Sequence, residues 1–129
     1  MKSHRILLVD DDRAISALLR IHFEADGFEV EVADNGMAAM ALLNSKPFDL
    51  LITDLFMPDM DGLELIKELR QKHHDIKIIA VSGGGCRLSP EVFLKIAQHR
   101  GVARTFGKPY ECRDLVQAAK DILMPVRDL

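Results

Sequence analysis

The sequence predicts an α/β domain built on a doubly wound parallel sheet, and three observations carry that expectation. Apolar, strand-like runs alternate with helical segments five times along the 129 residues, and parallel neighbours need crossover connections, almost always right-handed. Polar residues able to do chemistry close several of the runs. Asp10 and Asp11 follow Ile6-Leu7-Leu8-Val9, Asp54 follows Leu50-Leu51-Ile52-Thr53, Ser82 follows Ile78-Ile79-Ala80-Val81, and Lys108 follows Val102 to Phe106. In an open parallel sheet those carboxyl ends share one edge, and ligands bind in the crevice outside it. A hydrophobic content of 48% in 129 residues is enough for one core.

Taken in order, Arg5 to Asp10 reads as a buried strand. From Arg13, the residues Ile15, Leu18, Leu19, His22 and Phe23 recur at helical spacing, with Asp12 as N-cap and Gly27 as the stop. Phe28 to Ala33 sets Phe28, Val30 and Val32 against Glu29 and Glu31, a strand with one wetter face near a sheet edge. Met37 to Leu43 is a short helix ended by Asn44, Ser45 and Pro47, and Asp49 to Thr53 is apolar enough for a central strand. Asp61-Gly62 leads into a helix with Leu65, Ile66 and Leu69 inside and Glu64, Lys67, Glu68, Arg70 and Lys72 outside.

Ile76 to Val81 is the fourth strand, and Ser89-Pro90-Glu91 opens a fourth helix with Phe93, Ile96 and Ala97 facing inward. Val102 to Phe106 is a shorter fifth strand. Leu115, Ala118, Ala119, Ile122 and Leu123 give the fifth helix its apolar stripe, with Pro125 just beyond. The expected architecture is flavodoxin-like, strand order 2-1-3-4-5 with five helices. One domain should occupy residues 1–123, followed by a short tail, 124–129.

A formal net charge of -3 gives no global reason to bind nucleic acid or an anionic membrane. Cys86 and Cys112 form no CxxC pair, which fits reduced cytosolic thiols. No apolar run approaches the roughly 18 residues of a membrane span, and no signal-peptide pattern is present. The expected location is the cytoplasm, with neither membrane nor nucleic acid as partner.

Three carboxylates converging on one edge oppose joint ionisation. Lys108 offsets one charge and a divalent cation would offset two more. Ligands that are all oxygen point to a hard ion such as Mg2+, which keeps positions open for phosphoryl oxygens. Asp12 is explained by helix capping, Asp59 and Asp61 by loop shaping and capping, and His73-His74 by placement at a helix C-terminus.

The ordered set Val9-Asp10-Asp11, Asp54 within DLFMPDMDG, Ser82, and Lys108-Pro109 resembles the receiver domain of two-component response regulators, from Ile6 to about Leu123. The chain looks like a free-standing receiver of the chemotaxis or phosphorelay kind. The resemblance implies that Asp54 accepts a phosphoryl group from phosphohistidine on a sensor histidine kinase or histidine phosphotransfer protein. It implies that Asp11 and Asp54 ligate Mg2+ directly, that the Phe56 carbonyl is a third ligand, and that Asp10 acts through a water. Lys108 and the Ser82 hydroxyl would hold phosphoryl oxygens, in keeping with a reaction dominated by positioning and electrostatics. Such a protein catalyses only its own phosphorylation and dephosphorylation, and a downstream protein reads the fourth helix, fifth strand and fifth helix. Exposed basic candidates there are Arg87, Lys95, Arg100, Arg104 and Arg113.

The chain departs from the family pattern in three places. Thr105 stands three residues before the lysine, where many receivers carry an aromatic, and Phe106 should point to the opposite face. Ser82 replaces the more frequent threonine. Gly83-Gly84-Gly85 then gives an unusually free backbone, expected to reorder when Ser82 moves toward the phosphoryl group. The alternatives are a Mg2+-dependent phosphatase with an aspartate nucleophile, using Asp10 and Asp12 as a DxD motif, and a phosphorylation-independent interaction module. Arg13-Ala14 after that motif and the small chain weigh against the phosphatase. Phe56 has no side-chain group to align a hydrolytic water, so Phe56→Asn should shorten the phosphoryl half-life; an unchanged half-life would refute this.

Overall fold

A computed structural model of the chain describes residues 3–55, 57, 62–72, 74–82, 91, 95 and 98–124. Five parallel strands run in the order β2-β1-β3-β4-β5. They are β1 Arg5–Val9, β2 Glu29–Ala33, β3 Leu50–Asp54, β4 Lys77–Ser82 and β5 Arg104–Gly107. Four helices stand among the described residues, not the expected five: α1 Arg13–Ala25, α2 Gly36–Ser45, α3 Gly62–Gln71 and α4 Cys112–Leu123. The expected helix from Ser89, with Phe93, Ile96 and Ala97, falls largely outside the described residues, although Glu91, Lys95, Gln98 and His99 have helical backbone. Gly83-Gly84-Gly85, Arg87 and Pro125 lie outside them too.

Because successive strand side chains point to opposite faces, each strand feeds two cores. Leu7, Val9, Leu51, Ile78 and Ala80 pack beneath α2 and α3, against Met40, Leu43, Leu65, Ile66 and Leu69. Ile6, Leu8, Leu50, Ile52, Ile79 and Val81 pack beneath α1 and α4, against Leu19, Phe23, Leu115, Ala118 and Ala119. Every residue of β3 is buried, as its unbroken apolar run requires.

The local signals mostly act as expected. The Asp12 carboxylate accepts from the N–H groups of Ala14 at 3.0 Å and Ile15 at 3.2 Å, and α1 is followed by Gly27 at φ +90°, a left-handed value that favours glycine. The buried stripe of α1 is narrower than its apolar periodicity. Ser16, Leu19 and Phe23 are buried, whereas Leu18 is 49% and Ile21 65% exposed and His22 faces outward. A cap not anticipated from the sequence, Asn35, accepts from Ala38 N–H at 2.8 Å and starts α2 before Met37.

The fifth strand begins at Arg104, not Val102, because the chain is still turning. Gly101 adopts φ +79°, and the Arg70 guanidinium donates to the carbonyls of Arg100 and Gly101 at 3.1 and 3.2 Å. The same group donates to His74 and Ile76 carbonyls at 2.8 and 3.2 Å. Arg70, assigned to the outer face by periodicity, therefore ties the end of α3 to the entries of β4 and β5. Lysine lacks the planar fork that reaches several acceptors at once. Arg70→Lys should lower stability by about 1–2 kcal/mol in urea unfolding; an unshifted midpoint would mean that water replaces these bonds without loss.

Candidate functional site

The carboxyl ends of β1, β3, β4 and β5 meet, and each contributes a polar residue. Beyond β1, Asp10 N–H still donates to the Ala33 carbonyl of β2 at 3.2 Å, and its carboxylate accepts from Asp12 N–H at 2.9 Å. Both bonds hold Asp10 in place, only 7% exposed. Asp11, next in the chain, is exposed. Asp54 closes β3 at 6% exposure. Oxygens of Asp10, Asp11 and Asp54 all lie within 4.8 Å of one another.

The Asp54 backbone is packed from the far side by the start of α3. A Cβ added to Gly62 would run into the Asp54 carbonyl oxygen and come within 2.8 Å of Leu55 Cα, and Gly62 N–H donates to the Leu55 carbonyl at 3.2 Å. Only glycine permits that approach. In the sequence Asp61-Gly62 signals only a helix start, and the glycine at the helix entry is the trace of its closer role.

Ser82 ends β4 with its side chain inside, 1% exposed, and its Oγ has no hydrogen-bond partner among the described residues. Such an orphaned buried hydroxyl is costly. The next strand is fastened to it, since Lys108 N–H donates to the Ser82 carbonyl at 2.7 Å. Lys108 Nζ then reaches Asp54 Oδ2 at 2.7 Å and Asp10 Oδ2 at 3.4 Å.

Burial sets the electrostatics. It raises the Asp10 carboxyl pKa, with help from the neighbouring Asp54 charge, and the Asp12 N–H and Lys108 only partly oppose this. For Lys108 burial works against the cation, but its hydrogen bond to Asp54 and the charges of Asp54 and Asp10 together raise the pKa. Burial, seconded by the Asp10 charge, pushes nearby Tyr110 up to about 12, so its phenol stays protonated.

The structure thus brings together Asp10, Asp11, Asp54, Ser82 and Lys108. Phe56 lies outside the described residues, as do Asp59, Asp61 and His73. Asp12 is turned to the α1 N-terminus, which removes it from a DxD arrangement with Asp10. Thr105 accepts from the Gln98 side chain at 3.5 Å, while Phe106 joins the core beneath α1 and α4, on the opposite face as expected. Three carboxylates, joined by no nitrogen or sulfur donor among the described residues, suit a hard divalent cation.

A raised carboxyl pKa means that the ionised form is disfavoured in the fold. The stabilising balance of Asp10 therefore falls as pH rises from the unfolded value of 3.8 through its higher folded value. Asp10→Asn should stabilise the metal-free protein at pH 7, and the gain should vanish below pH ~3.8, where both side chains are neutral. Equal stability of the two proteins at pH 7 would contradict this.

Residues 6–120 match the response regulator receiver domain. The response regulator receiver protein CpdR of Brucella abortus is 35% identical over 121 residues, covering 93% of this chain and 97% of that protein. The transcriptional regulatory protein CpxR of Klebsiella pneumoniae is 38% identical over 120 residues, but these are 93% of this chain and 49% of that protein. The chain thus spans about half the length of CpxR. Among solved structures, a CheY-like receiver domain protein from Methanospirillum hungatei superposes with a TM-score of 0.83 at 33% identity, covering 95% of this chain and 94% of that one. A receiver protein from Pseudomonas putida gives 0.85 at 26% identity, covering 94% and 98%. With the acidic edge and its lysine in place, the chain belongs to the response regulator receiver domain family.

Proposed function

We propose that the chain is a phosphoacceptor module in which Asp54 takes a phosphoryl group from phosphohistidine on a sensor histidine kinase or histidine phosphotransfer protein. The observation that supports this best is the Lys108 ammonium, 2.7 Å from Asp54, with Asp10 and Asp11 beside it. An Asp54 carboxylate oxygen bonds to phosphorus as the P–N bond breaks, and the electron pair stays with the imidazole nitrogen. Lys108 follows a phosphoryl oxygen as a mobile point charge, and the Ser82 hydroxyl donates to another. Asp11 and Asp54 would hold Mg2+, with the Phe56 carbonyl as a further ligand and Asp10 acting through water. When bound, Mg2+ supplies positive charge for the oxygens of the transferring group.

The protein acts on its own aspartate alone and turns over no external substrate. Phosphorylation biases a two-state equilibrium that a downstream protein reads. A fifth helix, between β4 and β5, belongs to this reading; the parallel pairing of those strands, which requires a crossover, supports it. A domain over residues 1–123, a tail over 124–129 and a cytoplasmic location also belong to this reading. Among the described residues no helix is long and apolar enough to cross a membrane.

Incubation with Mg2+ and acetyl phosphate, followed by intact-mass measurement, should give one phosphoryl adduct that Asp54→Asn abolishes. An adduct that survives in the variant, or none in the wild type, would reject the proposal.

A further inference from the structure

A groove of about 420 Å3 opens from Asp10 between α1 and the β2–α2 junction. Small side chains, Ala17 and Ala33 among them, line it, and Arg13, Arg20 and Asp34 supply its charge. The fold gains little from Arg13. It is the first residue of α1, where the helix dipole disfavours a cation. Its ion pair with Asp34 spans 3.6 Å between side chains 89% and 48% exposed, an arrangement that water and salt screen heavily.

What Arg13 does have is position. The acid site holds three carboxylates, which the Lys108 ammonium and a divalent cation together would about neutralise, so the loaded site has little net charge of its own to attract an incoming anion. Arg13 lines a groove that also touches Asp10, so a loosely held cation stands in a groove that opens onto the acid site. We propose that Arg13 is a steering charge that draws small dianionic acyl phosphates toward Asp54. The inference rests on the phosphoacceptor reading of Asp54.

Arg20 provides a matched control. It lines the same groove and carries the same charge, but sits seven residues further along α1, roughly 10 Å away, and is paired with Glu24 at 3.3 Å. The experiment measures the second-order rate of acetyl phosphate labelling by intact mass at constant Mg2+, for wild type, Arg13→Ala, Arg13→Lys and Arg20→Ala. Each is run at low salt and at about 1 M salt, where the Debye length shrinks to ~3 Å.

Arg13→Ala should label roughly threefold more slowly at low salt and equal wild type at high salt. Arg13→Lys, which keeps the charge, should retain the wild-type rate, and Arg20→Ala should stay close to it. Thermal unfolding of Arg13→Ala should be unchanged or slightly later. Equal low-salt rates for wild type and Arg13→Ala would overturn the proposal. So would a deficit that persists at high salt, which marks a structural effect, or an equal deficit in Arg20→Ala, which marks net charge alone. A wild-type protein that takes no label on Asp54 would instead overturn the phosphoacceptor reading itself.

Discussion

The charge pairing of Lys108 with Asp54 and Asp10 is the interaction on which the rest of the site depends. Its partners stand 54 and 98 positions earlier in the chain, so a single ammonium joins the ends of β5, β3 and β1. Two nearly buried carboxylates side by side would otherwise carry a desolvation and repulsion cost that one of them could relieve only by taking up a proton. Stability alone does not account for the pair, since buried ion pairs commonly contribute less than well-packed apolar residues of the same size. Its physical sense lies in holding negative charge ready at one point.

Packing and backbone hydrogen bonds hold the described elements around that point. Two apolar cores clamp the sheet from both sides, Gly62 lets α3 press against the backbone that carries Asp54, and the Lys108 N–H is fastened to the Ser82 carbonyl. Within this frame the Ser82 hydroxyl has no partner among the described residues, at a cost on the order of 1–3 kcal/mol. The hydroxyl lies at the same sheet edge as the acidic residues, where the proposed function gives it a ligand oxygen. Thr105 distinguishes this receiver: a hydroxyl linked to Gln98 occupies the position where an aromatic ring is usual.

Much of this was legible in the sequence because strand alternation, helix caps and strand-end chemistry are local signals. The order of the elements, the central place of β3 and the gathering of Asp10, Asp11, Asp54, Ser82 and Lys108 all followed from runs of a few residues and one rule about parallel sheets. The less legible features depend on distant partners. Arg70 looked like a solvated helix residue, yet it binds carbonyls at positions 74, 76, 100 and 101. No pattern near residue 70 encodes the arrival of that backbone, and the late start of β5 follows from it.

The sequence by itself determined the fold class, the succession of strands and helices and which polar residues close the strands, because hydrophobic period and turn residues act within a few positions. Only the tertiary structure decided how those side chains are charged and paired. The raised Asp10 and Lys108 pKa values, the burial of the Ser82 hydroxyl and the contact of Gly62 with Asp54 arise from packing and from distances between segments far apart in the chain. Desolvation and Coulomb energy depend on those distances, which no local stretch of sequence contains.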